Sequence, residues 1–584
     1  MPFGATVLGK KGTQFRLWAP SAKKVELLLA GQAIEMTPLA DGFYECTTPL
    51  AQAETLYQYR INSGLVVPDP ASRFQPQDVK GPSCVIDPTA FLWHDGDWKG
   101  YPWEEAVIYE LHVGSFTLEG TFKAIKDKLE HLIALGVTAI QLMPIADFPG
   151  QRNWGYDGVL PYAPDSQYGH PDELKDLIQT AHARGLMVFL DVVYSHFGPE
   201  GNYLHAYAES FFTERHCTPW GAAINFDSDG RDVVRKFFIH NALYWLEEFH
   251  FDGLRLDAVH AIQDDSKPDI LEELAFAVHN KFGHDRHIHL ILENFKNQAT
   301  YLVRNRKGKP VYYTAQWNDD IHHALHVLTT GQTDGYYSDY ADKPAFHLGR
   351  CLTEGFDFQG QPFLFDEGKP RGEPSKHIPM AGFVSFLQNH DQVGNNAFGD
   401  RISTVARPAK IKMAAAIYLL SPQIPMLFMG EEWSAEQPFP FFCDFDGELA
   451  KAVTEGRQKE FNHSEIPDPC TESTFKKAIL DWNQVDNKIL KFYRDLIALR
   501  HNEIIPLLCC NKLTISADAL CLSDQALVVN WYFEEGIRLT LLANFADTPI
   551  ACPSINGEVL FQTQSIQDCL PAETVVWLKN RDKK

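Results

Sequence analysis

Gly253-Leu254-Arg255-Leu256-Asp257-Ala258-Val259-His260 is a short apolar run that closes on a carboxylate. Two further stretches repeat the pattern: Ile288-His289-Leu290-Ile291-Leu292-Glu293 and Phe383-Val384-Ser385-Phe386-Leu387-Gln388-Asn389-His390-Asp391. Apolar runs of this length, separated by helical periodicity, predict buried parallel strands. Working outward, similar runs at 107–112, 139–143, 187–193 and 425–430 add candidate strands. Amphipathic stretches at 124–135, 171–184 and 233–248 lie between them, and Gly136 and Gly185 supply helix stops. Strand–helix alternation over this length predicts an α/β fold, a (β/α)8 TIM barrel with insertions. An open doubly wound sheet fits less well, because no glycine-rich phosphate fingerprint follows a strand.

In such a barrel, carboxylates at the carboxyl ends of strands lie on the active face. Burying a carboxylate is costly unless it is paired or used. Asp257, Glu293 and Asp391 therefore point to chemistry that needs both an acid and a nucleophile, with glycoside hydrolysis first among the candidates. The charge balance agrees. Acidic residues outnumber basic ones 76 to 52, a formal net charge of -24, and such a field repels nucleic acid and anionic membrane but not a neutral sugar.

The 584 residues exceed one compact core and predict several domains. Period-two runs such as Thr13-Gln14-Phe15-Arg16-Leu17-Trp18 and Leu56-Tyr57-Gln58-Tyr59-Arg60-Ile61 predict an N-terminal β-sandwich over 1–95. The barrel is expected over 96–505 and a small C-terminal β-domain over 506–584. The eleven cysteines form no CxxC pair or Cys/His cluster, so zinc and a disulfide framework are not expected. Reduced thiols, no evident signal peptide and no apolar run long enough to span a membrane predict a cytoplasmic protein.

Four motifs now combine. Asp191-Val192-Val193-Tyr194-Ser195-His196, Gly253-Leu254-Arg255-Leu256-Asp257, the segment around Glu293, and Asn389-His390-Asp391 occur in this order. The chain resembles the α-amylase family of glycoside hydrolases over nearly all its length. The resemblance implies a retaining mechanism with Asp257 as nucleophile, Glu293 as general acid/base and Asp391 as transition-state stabiliser. It also implies that Asp191, Arg255, His196, His390 and Tyr156 meet the sugar at the cut. From the residues alone, Arg255 and Asp257 could equally be an interior ion pair. Many members carry asparagine where this chain has Ser195, and there it helps bind calcium. Serine is a poorer ligand for a hard cation, so no metal and no cofactor are expected.

Within the family, Gln316-Trp317-Asn318-Asp319-Asp320-Ile321-His322-His323, Leu256-Asp257-Ala258-Val259-His260 and His390-Asp391-Gln392-Val393-Gly394-Asn395 resemble the maltooligosyltrehalose trehalohydrolases. That resemblance implies cleavage of the α-1,4 bond beside the terminal trehalose of maltooligosyltrehalose. Trp317, Asn318, Asp319, Asp320, Ile321 and His322, with Leu256, Ala258, Val259, His260, Gln392, Val393, Gly394 and Asn395, would form the substrate site. The segment could instead be a polar helix-capping loop. A branching or debranching enzyme is the alternative within the family, and an inactive glucan-binding protein is the alternative outside it. The oligomeric state is left open.

Overall fold

The computed structural model describes residues 2–218, 221–283, 285–461, 463, 465–510, 516–551 and 556–581. The N-terminal region is a sandwich of two antiparallel sheets. One contains Gly4–Val7, Thr13–Trp18, Phe43–Thr48 and Thr37–Pro38, and the other is built around Val25–Leu29 and Leu56–Ile61. Leu27 pairs with Tyr59, and the alternate residues Val25, Leu27, Leu29, Tyr57, Tyr59 and Ile61 are all buried. This is the period-two pattern of strands with one face on a core. A linker follows that packs on the barrel: Trp93 stacks on His250, and Trp98 stacks on His182 and donates to Asp252 at 2.8 Å.

Eight parallel strands close the barrel in chain order: Ile108–Leu111, Ala139–Leu142, Met187–Val192, Gly253–Leu256, His289–Leu292, Ala315–Trp317, Phe383–Phe386 and Ile424–Phe428. Closure comes from Ile108 pairing with Met426. The sequence reading anticipated each of these strands except the sixth. Ala315–Trp317 spans three residues, too few to show a period, and its polar flank led it to be read as part of a substrate loop. The stretch at 124–135 divides into Phe122–Lys126 and Leu129–Leu135. Gly136 ends the second helix at φ 98, a left-handed conformation that glycine adopts without a Cβ penalty.

The barrel interior changes character from bottom to top. Its lower layers are apolar, with Ile108, Ala139, Met187, Phe189, Ile291, Val384 and Met426 in one cluster that Trp103 joins. Above them the buried residues Glu110, Gln141, Asp191 and Arg255 turn the interior polar toward the strand carboxyl ends. The C-terminal β-sheet, which includes Ala526–Tyr532, Ile537–Asn544 and Thr574–Arg581, docks through two stacked tryptophans. Trp531 donates to the Leu352 carbonyl and Trp577 to that of Ala416. Among the described residues, no helix is long and apolar enough to cross a membrane.

Candidate active site

The fourth and fifth strands set the spacing at the centre of the site. Leu256 pairs with Leu292, so the next residues, Asp257 and Glu293, leave the sheet side by side. Neighbouring strands lie about 4.8 Å apart, close to the ~5 Å between carboxyls in glycosidases that form a covalent intermediate. Arg255 joins the two. Its Nη1 donates to Asp257 Oδ1 at 2.7 Å, and its Nη2 lies 3.9 Å from Glu293 Oε2. The same Nη1 donates to Asp191 Oδ2 at 2.7 Å, because Asp191 and Arg255 are register partners on adjacent strands. The guanidinium rests over the Trp317 ring, 4.1 Å from its centroid. A cation in contact with both carboxylates and a π-face has a fixed direction in the dry interior.

A second chain of hydrogen bonds enters from the first and seventh strands. His390 Nδ1 donates to Glu110 Oε1 at 2.6 Å, and its Nε2 donates to the Tyr156 hydroxyl at 2.8 Å. That hydroxyl donates to Asp191 Oδ2 at 2.7 Å. Burial alone would favour the neutral imidazole, but the Glu110 and Asp391 carboxylates outweigh it and push His390 up to about 9. Asp391 is the second residue of the helix His390–Gly394, whose cap Asn389 accepts the Gln392 amide at 2.8 Å. The Asp391 side chain is 39% exposed and faces the open cleft.

Glu293 has the opposite electrostatic position to Arg255. Burial, then the negative charges of Asp257, Asp319 and Asp391, hold its carboxyl well above the usual range against the pull of Arg255. Its Oε2 accepts the Ala258 amide at 2.6 Å. Asp191 is pushed up to about 7, first by burial. His260 is held down at about 4 by burial, and its Nδ1 accepts the Phe295 amide at 3.3 Å. A neutral acid, a cation-held carboxylate and a third, open carboxylate thus share one cleft.

The remaining sequence-predicted residues divide into two groups. Gln392, Val393, Asn395 and His322 line an adjoining cavity. Gly394 lies against Trp154, where a Cβ would come within 2.0 Å of the indole. His196 bonds the Tyr156 carbonyl at 3.0 Å, and its Nδ1 lies 2.9 Å from the Ser195 hydroxyl. Others depart from expectation. Leu256, Val259 and Ile321 belong to the apolar core and offer a sugar no polar atom. Trp317 is 1% exposed and supports Arg255. Asn318 donates to the Gly355 carbonyl at 2.8 Å. Asp320 is fully buried, and both its oxygens are occupied. Oδ1 meets Arg371 at 2.8 Å and Tyr340 at 2.6 Å, while Oδ2 accepts Asn297 and the Asp357 amide. The reason is local: Asp319–Thr330 is a helix whose first turn packs inward, so only Asp319 of the acidic pair is left toward the cleft.

Sequence reasoning missed Glu110, the charged partner of His390. The sign was present: a glutamate inside an apolar strand run, the feature that singled out Asp257. It also missed Tyr336, Tyr337 and Phe295, which carry no motif and reach the cleft only through the fold. For a cation, His216, Asp227 and Asp265 are the set of close ligand atoms among the described residues. Arg215 already contacts both of these carboxylates.

Comparison with known proteins agrees with this architecture. The alpha amylase catalytic domain model matches residues 74–220, carbohydrate-binding module 48 (isoamylase N-terminal domain) matches 2–72, and a domain of unknown function matches 516–577. The malto-oligosyltrehalose trehalohydrolase of Saccharolobus solfataricus is 43% identical, covering 88% of this chain and 89% of that protein. That of Deinococcus radiodurans is 42% identical, covering 86% and 83%. The chain belongs to the malto-oligosyltrehalose trehalohydrolase family. A 1,4-alpha-glucan branching enzyme from Geobacillus stearothermophilus is more distant, 30% identical over 76% of this chain. A crystal structure of a putative alpha amylase from Salmonella typhimurium superposes with TM-score 0.95 at 44% identity and 99% coverage of both chains. An Anoxybacillus pullulanase shares the fold at TM-score 0.72 and 18% identity.

Proposed function

We propose that this trehalohydrolase family member cleaves the α-1,4-glucosidic bond beside the terminal trehalose of maltooligosyltrehalose by a retaining mechanism. Asp257 attacks the anomeric carbon while Glu293 gives its proton to the glycosidic oxygen, and trehalose leaves. Water then attacks the glycosyl–Asp257 bond as Glu293 takes a proton from it, releasing the shortened maltooligosaccharide and restoring both residues. Asp391, across the cleft, stabilises the positive charge that develops on the sugar. Arg255 donates to Asp257 and fixes the direction of its carboxylate, and His390, Asp191, His196 and Tyr156 hold the ring at the cut. The observation that carries this reading is the Leu256–Leu292 register, from which Asp257 and Glu293 leave adjacent strands side by side, as a nucleophile and acid about 5 Å apart would need. Cysteines without disulfides among the described residues support a cytoplasmic setting.

The deciding experiment offers maltotriosyltrehalose and amylose to the purified protein. Trehalose release from the first, with no new α-1,6 branches in the second, supports the proposal. Branch formation without trehalose release would move the chain to the branching reaction.

A further inference from the structure

After its eighth strand the barrel carries an excursion whose two ends meet at a pair of cysteines. Cys443 and Cys470 stand 27 positions apart in the chain, and their Sγ atoms lie 3.5 Å from each other. The main chain sets this contact. The Cys443 amide donates to the Pro469 carbonyl at 3.0 Å, and the Cys470 amide donates to Asp468 Oδ1 at 3.0 Å. Arg152 grips both ends at once: its Nη2 donates to the Cys470 carbonyl at 2.9 Å and meets Asp444 Oδ1 at 2.6 Å. The two sulfurs are thus brought together by bonds that do not involve them. A disulfide bond is about 2.05 Å long, so the pair has roughly 1.5 Å left to close.

The excursion needs such a tie. Its helix, Gly447–Glu460, has no buried residue, and a helix without a core face has little packing to hold its place. Polar contacts hold it instead. The Thr454 hydroxyl donates to Asp468 Oδ1 at 2.9 Å, and Arg457 Nη2 donates to the Gly394 carbonyl at 2.9 Å. Glu460 and Phe461, at its end, line the same cavity as Gln392 and Asn395. Just before Cys443, Phe439 stacks on Trp154, and the Pro440 carbonyl accepts the Trp154 indole at 3.2 Å. The cysteine pair therefore lies where the excursion joins the loop that carries Trp154 and Tyr156.

We propose that Cys443 and Cys470 are a reversible oxidation site, at which a small-molecule disulfide such as oxidised glutathione closes a bridge that staples the two ends of this excursion. Cys470, the less buried of the two, reacts first. Its thiolate attacks one sulfur of the oxidant, the oxidant's S–S bond breaks, and one small thiol leaves with the proton that Cys470 gave up. Cys443 then gives up its proton and attacks the Cys470 sulfur of the mixed disulfide, and the second small thiol leaves. The protein has lost two hydrogens and two electrons, and the oxidant has gained them. Burial raises the pKa of both thiols, so the pair rests reduced and reacts slowly. A bridge across this loop restricts the unfolded chain and so favours the folded one. The inference is independent of the reaction proposed above.

The test treats the whole purified protein with oxidised glutathione at about pH 8.5, where thiols ionise more readily. Treatment continues until the exposed Cys217 and Cys510 carry glutathione, which shows that the oxidant has acted. Alkylation, digestion without reductant and mass spectrometry should then find a peptide pair linked through Cys443 and Cys470, released by dithiothreitol. The oxidised protein should melt several degrees above the reduced one. Cys443→Ala and Cys470→Ser should abolish that rise. Each variant is compared with itself, oxidised against reduced, so a lower starting Tm does not affect the result. Glutathione on Cys217 and Cys510 without the linkage would overturn the inference. So would a linked protein whose Tm is unchanged, or the same rise in either variant.

Discussion

At the residue scale, the proposed reaction depends on keeping Glu293 protonated beside the negative charges of Asp257, Asp319 and Asp391. Glu293→Gln removes the transferable proton and should lower kcat by roughly 10²–10⁴-fold, the usual worth of a positioned acid, with Asp257→Asn and Asp391→Asn also severe. Near-normal turnover in any of the three would remove that residue from its role. The pH profile gives a second check. The working acid is the protonated form, so activity must fall as pH rises through the raised Glu293 pKa. Asp319 is one of the charges that raise it. Asp319→Asn should therefore lower the Glu293 pKa and move the alkaline limb of kcat/KM to lower pH. An unmoved limb would show that Asp319 does not act on Glu293. Asp257, Glu293 and Asp391 were legible in the sequence because a carboxylate at the end of an apolar run is chemically anomalous. Tyr336 was not, because an aromatic in a polar turn resembles ordinary packing.

At the element scale, the helix Asp319–Thr330 replaces the expected recognition loop. Asp320→Ala leaves Arg371 buried without its carboxylate, and breaking such a pair costs about 3–5 kcal/mol. Urea unfolding should register that loss, and residual activity should decline equally on maltotriosyltrehalose and maltopentaose. A selective loss on the first would restore Asp320 to the substrate site. The helix His390–Gly394 makes a different prediction, because it is tied to the first barrel strand by His390 and Glu110. His390 is raised from 6.5 to about 9, so its contribution to stability is fully present below 6.5. It is lost as pH rises through about 9. The difference in Tm between wild type and Glu110→Gln should be large near pH 6 and shrink across that window. A pH-independent difference would mean that the charge on His390 is not what Glu110 stabilises.

At the scale of the whole molecule, three units share one arrangement. The sandwich docks through Arg73, which lies 4.7 Å from the centroids of both Tyr162 and Tyr244 and donates to the Phe3 and Ala71 carbonyls. The C-terminal sheet docks through Trp531 and Trp577. Trp577→Ala should destabilise the protein by about 3–5 kcal/mol, the usual cost of truncating a buried aromatic. Limited proteolysis should then release the C-terminal sheet first. Cleavage appearing first in the barrel would contradict that order. A chelator should leave activity and Tm unchanged, since Ser195 is engaged with His196 and Arg215 already meets Asp227 and Asp265. A loss restored by calcium would overturn this.

What the sequence determined by itself is what periodicity and chemical type can encode. Strand runs, glycine stops and carboxylates out of place identified the barrel and its central acids, because these are local properties of the chain. The sixth strand escaped because three residues, Ala315–Trp317, carry no period and take their conformation from neighbours on both sides. Only the tertiary structure decided that Glu110 reaches His390, 280 residues away in the chain. It likewise assigned Asp320 to Arg371 rather than to a sugar, and set Tyr336 against Gln392. Those outcomes depend on which side chains a closed barrel brings within hydrogen-bonding distance, and burial then compels each polar atom to find the partner that folding supplies.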